Sequence, residues 1–213
     1  MRAAVRGDHG SVVTPKPDAA LTAHLVFEKS GQRIFSEITK QRGRSVRNTE
    51  LTIRDYLLAE VRQFVEHARV CPGVRRIALI GSLATEKPDP KDADVLVTVD
   101  DDAGLAPLAA TGRKLKGHAQ NRNRGADIFL ADPSGNYIGR ICHWRECYPG
   151  IRASCDARHC GRRPFLHDDL DDVTLDASLI AAPPLVLWPR ILRRVELPSD
   201  VETQIIHPEI QRA

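Results

Sequence analysis

Two aspartates separated by one residue stand at the beginning of an apolar segment. Asp92 and Asp94 precede the apolar residues 95–97, a run that is typical of a buried strand. Side chains two positions apart on a strand project to the same face, so these carboxylates repel each other unless a cation lies between them. Hard divalent ions such as Mg²⁺ prefer oxygen ligands. A third carboxylate, Asp127, opens the next predicted strand and completes the ligand set if that strand lies alongside.

Such a set of carboxylates suits the transfer of a nucleotidyl group. Two Mg²⁺ ions about 3.5–4 Å apart can lower the pKa of an attacking hydroxyl and neutralise the departing pyrophosphate. Asp92 and Asp94 would hold both ions, while Asp127 would ligate the catalytic ion and serve as general base. Gly81 and Ser82 end the preceding apolar segment, 76–80, and offer backbone N–H groups and a hydroxyl to a phosphate.

The order of these residues resembles the signature of the polymerase-beta-like nucleotidyltransferase superfamily, in the form of its minimal domain. Gly81-Ser82, nine intervening residues, Asp92-Ala93-Asp94 and a later Asp127 in an apolar strand carry the resemblance, which covers roughly residues 49–132. It implies a small mixed β-sheet with helices on one face. It also implies transfer of a nucleoside monophosphate from an NTP to a hydroxyl, with Mg²⁺ as cofactor.

The acceptor does not follow from the motif, because members of the superfamily act on nucleic-acid ends, proteins or small molecules. An RNA or tRNA, a partner protein and a small hydroxyl compound therefore stay open as acceptors. The family often places a cation shortly after Gly-Ser, whereas the first one here is Lys87, which we assign to the nucleotide together with Gly81 and Ser82. Because of this departure, a second hypothesis remains. The protein would then be catalytically idle and nucleotidyltransferase-like, and would act either as the antitoxin of a toxin–antitoxin pair or as a regulatory binding protein.

The hydrophobic pattern predicts the elements that would position these residues. The fold class is α+β, a nucleotidyltransferase-like mixed sheet with an irregular Cys/His-rich appendage. Three regions are expected: an N-terminal arm over 1–48, a catalytic core over 49–135 and a C-terminal extension over 136–213. The predicted elements are a helix from about Thr49 to Val70, strands over 76–80 and 93–99, a helix from Ala106 to about Ala119, and strands from Ala126 and from Tyr137.

Four of the five cysteines fall within nineteen residues of the extension. Cys142, Cys147, Cys155 and Cys160 could bind a structural Zn²⁺, with His159 as a substitute ligand. Their spacing is not that of a Cys-x2-Cys knuckle, so reduced thiols and disulfides remain alternatives. The acidic run at 168–172 favours a solvated turn.

Composition excludes several classes of protein. Hydrophobic residues make up 42% of the 213, enough for a core and too many for a chain disordered throughout. The longest apolar run is too short to span a membrane, which takes about 20 residues. No apolar leader opens the sequence, so we expect a cytoplasmic protein.

The charge of the chain is unevenly distributed. Its net charge is only +3, so bulk charge alone demands no polyanionic partner. A basic strip before Asp127 either steers a triphosphate or polyanionic acceptor, or is a solvated helix end. The basic strip comprises Arg113, Lys114, Lys116, Arg122 and Arg124.

Overall fold

The computed structural model describes residues 51–145, 147 and 163–207 of the chain. The chain divides into two units, Met1–Asn48 and Thr49–Ala213, and all described residues lie in the second. The predicted arm therefore lies outside the described residues, as do Cys155, Cys160 and His159.

Helices and strands alternate along the described residues. The long helices are α1 (Ile53–Ala68) and α2 (Ala106–Gln120), and the short ones are α3 (Ala177–Ala181) and α4 (Ser199–Val201), which continues as a π-helical turn, Glu202–Ile206. A 3-10 turn, Gly81–Ala84, follows the first strand. The strands are β1 (Val74–Ile80), β2 (Asp92–Val99), β3 (Gly125–Ala131), β4 (Tyr137–Ile141), β5 (Leu166–His167), β6 (Leu185–Trp188) and β7 (Leu192–Arg193).

The seven strands form one mixed sheet in the order β5-β4-β3-β2-β1-β6-β7. Strands β2 and β3 are parallel, whereas the other neighbouring pairs are antiparallel. A parallel pair needs a crossover connection, and α2 supplies it here. The prediction of an α+β fold with a mixed sheet is confirmed. Strands β4 to β7 come from residues 136–213 and extend the sheet on both sides.

The two faces of the sheet are covered differently. Leu57 of α1 and Leu108 of α2 share the larger apolar cluster with alternate strand residues such as Val95. The intervening strand residues, such as Leu96, belong to a smaller cluster that includes Ile180 of α3. Both long helices thus lie on one face, and α3 adds a helix on the other face that the sequence pattern did not predict.

The first helix begins later than the sequence predicted. The pattern predicted a start at about Thr49, whereas the N-cap residue of α1 is Thr52. The Thr52 Oγ1 accepts a hydrogen bond of 3.1 Å from the Asp55 N–H, and the Asp55 carboxylate accepts one of 2.9 Å from the Thr52 N–H. This reciprocal capping box fixes the start of α1, because it satisfies N–H groups that the helix leaves without partners.

Arg54, near the start of α1, holds the loop that follows Gly-Ser. Its guanidinium is buried and donates to three backbone carbonyls, at 3.2 Å to Leu83, 2.9 Å to Thr85 and 2.7 Å to Lys87. It also forms two bonds to the Asp200 carboxylate, of 2.6 and 3.1 Å. The charge and the donors of Arg54 are therefore satisfied by one loop and one carboxylate, which makes this arginine a link between α1, the loop and α4.

Replacement of Arg54 by methionine should destabilise the protein by about 3 kcal/mol, because it leaves a part-buried carboxylate and three carbonyls without their donor. Urea unfolding measures this change. Arg62→Met, on the same helix, is the matched control and should change the free energy of unfolding by less than about 0.5 kcal/mol. Equal effects of the two substitutions would show that Arg54 contributes no more than a surface arginine.

Candidate active site

Strand register brings the three predicted aspartates onto one face of the sheet. Asp94 of β2 is the direct partner of Ile80 in β1 and of Asp127 in β3. Asp92 is the direct partner of Gly125. Directly paired residues of neighbouring strands share a face, and residues two apart on a strand do so as well. The three carboxylates therefore lie at one end of β2 and β3, on the face opposite the two long helices.

Two glycines make room for two of these carboxylates. Gly81 has a φ of 69°, in the left-handed region, and a Cβ there would overlap the Asp94 Oδ2 atom. A Cβ on Gly125 would likewise overlap the Asp92 Oδ1 atom. Gly81 thus has a steric role beside the phosphate-binding role assigned from the sequence. Gly125 was missed, although a glycine just before the predicted strand of Asp127 was a visible signal of close packing.

Several effects oppose the ionisation of Asp94. Burial and, to a smaller extent, the neighbouring charges of Asp92 and Asp127 together raise the pKa of the Asp94 carboxyl to about 6. Carboxylates that repel one another in this way attract a cation. This electrostatic state is what the sequence spacing of Asp92 and Asp94 predicted.

Asp127 differs from the other two because two cations contact its carboxylate. The Arg140 Nη1 atom lies 3.4 Å and the Lys116 Nζ atom 3.8 Å from the Asp127 Oδ1 atom. Arg140 also forms a 2.5 Å bond through Nε to Asp169, which accepts a second bond of 2.8 Å from the Tyr137 hydroxyl. Asp169 is 5% exposed, so the interpretation of its acidic run as a solvated turn is wrong for this residue.

The Gly-Ser segment forms a tight turn directly after β1. The Ser82 carbonyl accepts hydrogen bonds from the N–H of Thr85, at 3.2 Å, and from its hydroxyl, at 2.9 Å. Lys87 lies exposed farther along the loop, and its ammonium forms no ion pair with another described residue. The structure therefore places Gly81 beside the aspartates and leaves Lys87 on the outside of the loop.

The chemistry of the aspartate side chains suits a divalent cation, but the described side chains are not grouped as its ligands. Asp92 and Asp94 supply oxygen donors and uncompensated charge, as Mg²⁺ prefers. Within the described ranges, however, no three His, Cys, Asp or Glu side chains are grouped closely enough to hold a metal ion. Arg140 and Lys116 also contact the Asp127 carboxylate, so a metal ion would compete with these two cations for it.

The predicted zinc cluster is only half within the described residues. Cys142 is buried and Cys147 is half-buried. Cys155, Cys160 and His159 lie outside the described residues, so zinc binding stays a prediction.

His143, next to Cys142, lies in the same electropositive surroundings as Asp127. Both of its ring nitrogens are buried, without a hydrogen-bond partner among the residues described. Burial is the main cause that lowers the pKa of His143 to about 4; the charges of Lys116, Arg140 and Arg113 also lower it, and that of Asp127 opposes them. The imidazole is therefore neutral at physiological pH.

The fold and the site define an α+β protein whose mixed sheet carries three carboxylates on the face away from its long helices. The chain belongs to the family of unknown function DUF6932, whose model matches residues 29–157. The matched range includes all three aspartates and the Gly-Ser turn. No curated protein and no solved structure matches the chain. None of the helices in the described part has the length and apolar character that crossing a membrane requires.

Replacement of Asp94 by asparagine should stabilise the metal-free protein at pH 8 by about 2 kcal/mol. An aspartate ionises near pH 4 when unfolded but near pH 6 here, so its ionisation opposes folding above pH 6 and has no effect below pH 4. The gain should therefore vanish as the pH falls from 6 to 4. Urea unfolding in EDTA measures it, with the exposed Glu86→Gln as control. A gain that is equal at pH 4 and pH 8 would contradict this explanation.

Replacement of Gly81 by alanine should destabilise the protein by about 1–2 kcal/mol, because an L-residue is strained at this φ and its Cβ displaces the Asp94 carboxylate. The matched control is Gly117→Ala in α2, where a Cβ meets nothing within 4 Å. This control should instead stabilise the helix, by up to about 1 kcal/mol. Chemical denaturation compares them, and a stabilising Gly81→Ala would refute the steric role.

Proposed function

We propose that the protein is a Mg²⁺-dependent nucleotidyltransferase, which transfers a nucleoside monophosphate from an NTP to a hydroxyl acceptor. The observation that carries this proposal is the direct pairing of Asp94 with Asp127 in neighbouring strands. Asp94 also packs against Gly81, and Asp92 lies on the same face of the sheet. Chance acids in surface loops have no reason to meet at the same end of two parallel strands. The resemblance to the polymerase-beta-like superfamily supports the same reading.

Each residue has a defined task in this reaction. Asp92 and Asp94 would hold Mg²⁺, with Asp127 as a further ligand once it leaves its cations. Bound Mg²⁺ supplies compensation for the charge of the departing pyrophosphate and favours ionisation of the acceptor hydroxyl. The turn at Gly81 and Ser82 presents N–H groups and a hydroxyl to the phosphates.

In the proposed reaction, one P–O bond forms and another breaks. Asp127 accepts the proton of the acceptor hydroxyl, whose oxygen attacks the α-phosphorus of the NTP. A new P–O bond forms to the acceptor, and the bond from the α-phosphorus to the bridging oxygen of the β-phosphate breaks. Pyrophosphate leaves with that electron pair, so atoms and charge balance without any oxidant or reductant.

One observation favours the second candidate, a catalytically idle antitoxin or regulatory binding protein. The carboxylate of Asp127 is engaged by Arg140 and Lys116. A permanent ion pair of this kind would prevent Asp127 from acting as base or ligand. The two candidates therefore differ in whether Mg²⁺ and NTP release Asp127 from its cations.

Incubation with each α-labelled NTP and Mg²⁺ tests the proposal, with RNA, total protein or small hydroxyl compounds as acceptors. We expect labelled acceptor that depends on Mg²⁺ and disappears in EDTA. Asp92→Asn and Asp94→Asn should each lower the rate by more than the roughly 10–100-fold that loss of an outer-shell partner costs. Glu86→Gln, an exposed acid in the same loop region, should leave the rate unchanged.

The outcomes separate the two candidates. Labelled acceptor that is lost in both aspartate variants supports the enzyme. Substantial activity in both variants would contradict the assigned site. Absence of label with every acceptor, together with NTP binding or capture of a defined partner protein, would favour the idle binding protein.

A further inference from the structure

Among the described residues, the two cations that contact the carboxylate row both approach it from the side of β3 and β4. On the side of β1, Gly81 and Ser82 carry no charge, and the buried Arg54 is occupied by three carbonyls and Asp200. On the side of β3 and β4, Lys116 and Arg140 lie within 4 Å of Asp127. A nucleotide at the Gly-Ser turn and an acceptor at Asp127 would therefore meet different electrostatic surroundings.

The residues of the basic strip differ in their contacts. Its arginines contact residues elsewhere in the fold, and one lysine contacts the candidate site. Arg113 donates to the Trp144 carbonyl at 2.8 Å, and Arg124 pairs with Asp89 at 2.6 Å. Arg122 lies over the Tyr56 ring, 4.9 Å from its centroid. Lys114 is exposed on α2, whereas Lys116, half a helical turn farther on, lies against Asp127. Of the two alternatives for the strip, Lys116 fits the role in binding, while the arginines pack and pair locally.

Arg140 is oriented so that part of its guanidinium remains for another partner. Asp169 accepts from its Nε atom, and Tyr137 donates to the same carboxylate. The Nη1 atom is directed to the Asp127 carboxylate. The side chains of Arg140 and Lys116 are 28% and 33% exposed, so a ligand can reach both. An arginine fixed on one edge offers its other donors to a phosphate with little loss of entropy.

We propose that Lys116 and Arg140 form an anion subsite that binds a phosphate group of the acceptor, close to the hydroxyl that Asp127 deprotonates. This inference rests on the proposed function, because it assumes that Asp127 exchanges these cations for the reaction. The ligand chemistry is a hydroxyl a few bonds from a phosphate. A phosphodiester next to the terminal hydroxyl of RNA and the monoester of a small hydroxyl compound both have it. The subsite itself makes and breaks no covalent bond.

Binding without NTP tests the subsite separately from turnover. Isothermal titration calorimetry in Mg²⁺ compares a short RNA with a free 3′ hydroxyl, glycerol 3-phosphate and glycerol. We expect a phosphate-bearing probe to bind and glycerol not to bind. Lys116→Ala should weaken that binding about tenfold, through loss of one charge-assisted contact, whereas Lys114→Ala on the same helix should not. For RNA, the slope of log affinity against log salt concentration should decrease in magnitude by about one in Lys116→Ala, because one phosphate contact is lost.

The two probes distinguish the sources of the phosphate. Binding of RNA alone indicates a nucleic-acid acceptor, whereas binding of glycerol 3-phosphate alone indicates a small phosphorylated one. Equal effects of Lys116→Ala and Lys114→Ala, or equal binding of glycerol and glycerol 3-phosphate, would overturn the subsite. Circular dichroism checks that each variant is folded.

Failure of the subsite and failure of the proposed function give different results. Label transfer to a phosphate-bearing acceptor at the same rate in wild type and Lys116→Ala would refute the subsite and leave the function standing. Lys116-dependent binding of a phosphate-bearing probe, without label transfer under any condition, would refute the function and leave an anion-binding site.

Discussion

The parallel pairing of β2 with β3 is the constraint on which the site depends. It brings Asp94 and Asp127 side by side, at about the 4.8 Å spacing of neighbouring strands, and Asp92 lies on the same face. Burial and repulsion then oppose the ionisation of Asp94, as its raised pKa records. The rest of the local structure accommodates this charge. Gly81 and Gly125 leave space for the carboxylates, and cations from two other elements approach Asp127.

Apolar packing on the other face of the sheet offsets the repulsion between the carboxylates. There α1 and α2 cover alternate residues of β1, β2 and β3 with a continuous apolar cluster. Because side chains alternate along a strand, the same residues that build this core direct Asp92, Asp94 and Asp127 to the opposite face. The alternation of side chains along these strands therefore determines both the core and the position of the carboxylates. A shift of β3 by one residue would move Asp127 into the core and expose its apolar neighbours.

Local patterns in the sequence predicted the elements around the site well, and long-range pairing poorly. The apolar runs at 76–80 and 93–99 gave β1 and β2 to within two residues, since periodicity and length are local properties. The two-residue strands β5 and β7 carry too few residues for such a signal. The partner of Arg54 is Asp200, 146 positions away. The partner of Arg140 is Asp169, in an acidic run that the sequence predicted to be a solvated turn. Tertiary contacts of this kind have no periodicity from which they could be read.

Two arginines, Arg54 at the loop after Gly-Ser and Arg140 beside Asp127, connect the C-terminal part of the chain to the candidate site. Asp200 and Asp169 both come from residues 163–207, and each fixes one of these arginines. Arg54 gives its remaining donors to three carbonyls and so holds the loop after Gly-Ser in place. Arg140 keeps donors directed to Asp127. The same pairing of arginine with aspartate therefore holds a loop in place through Arg54 and a cation beside Asp127 through Arg140. In the proposed reaction, the loop would bind the NTP and the cation would face the acceptor.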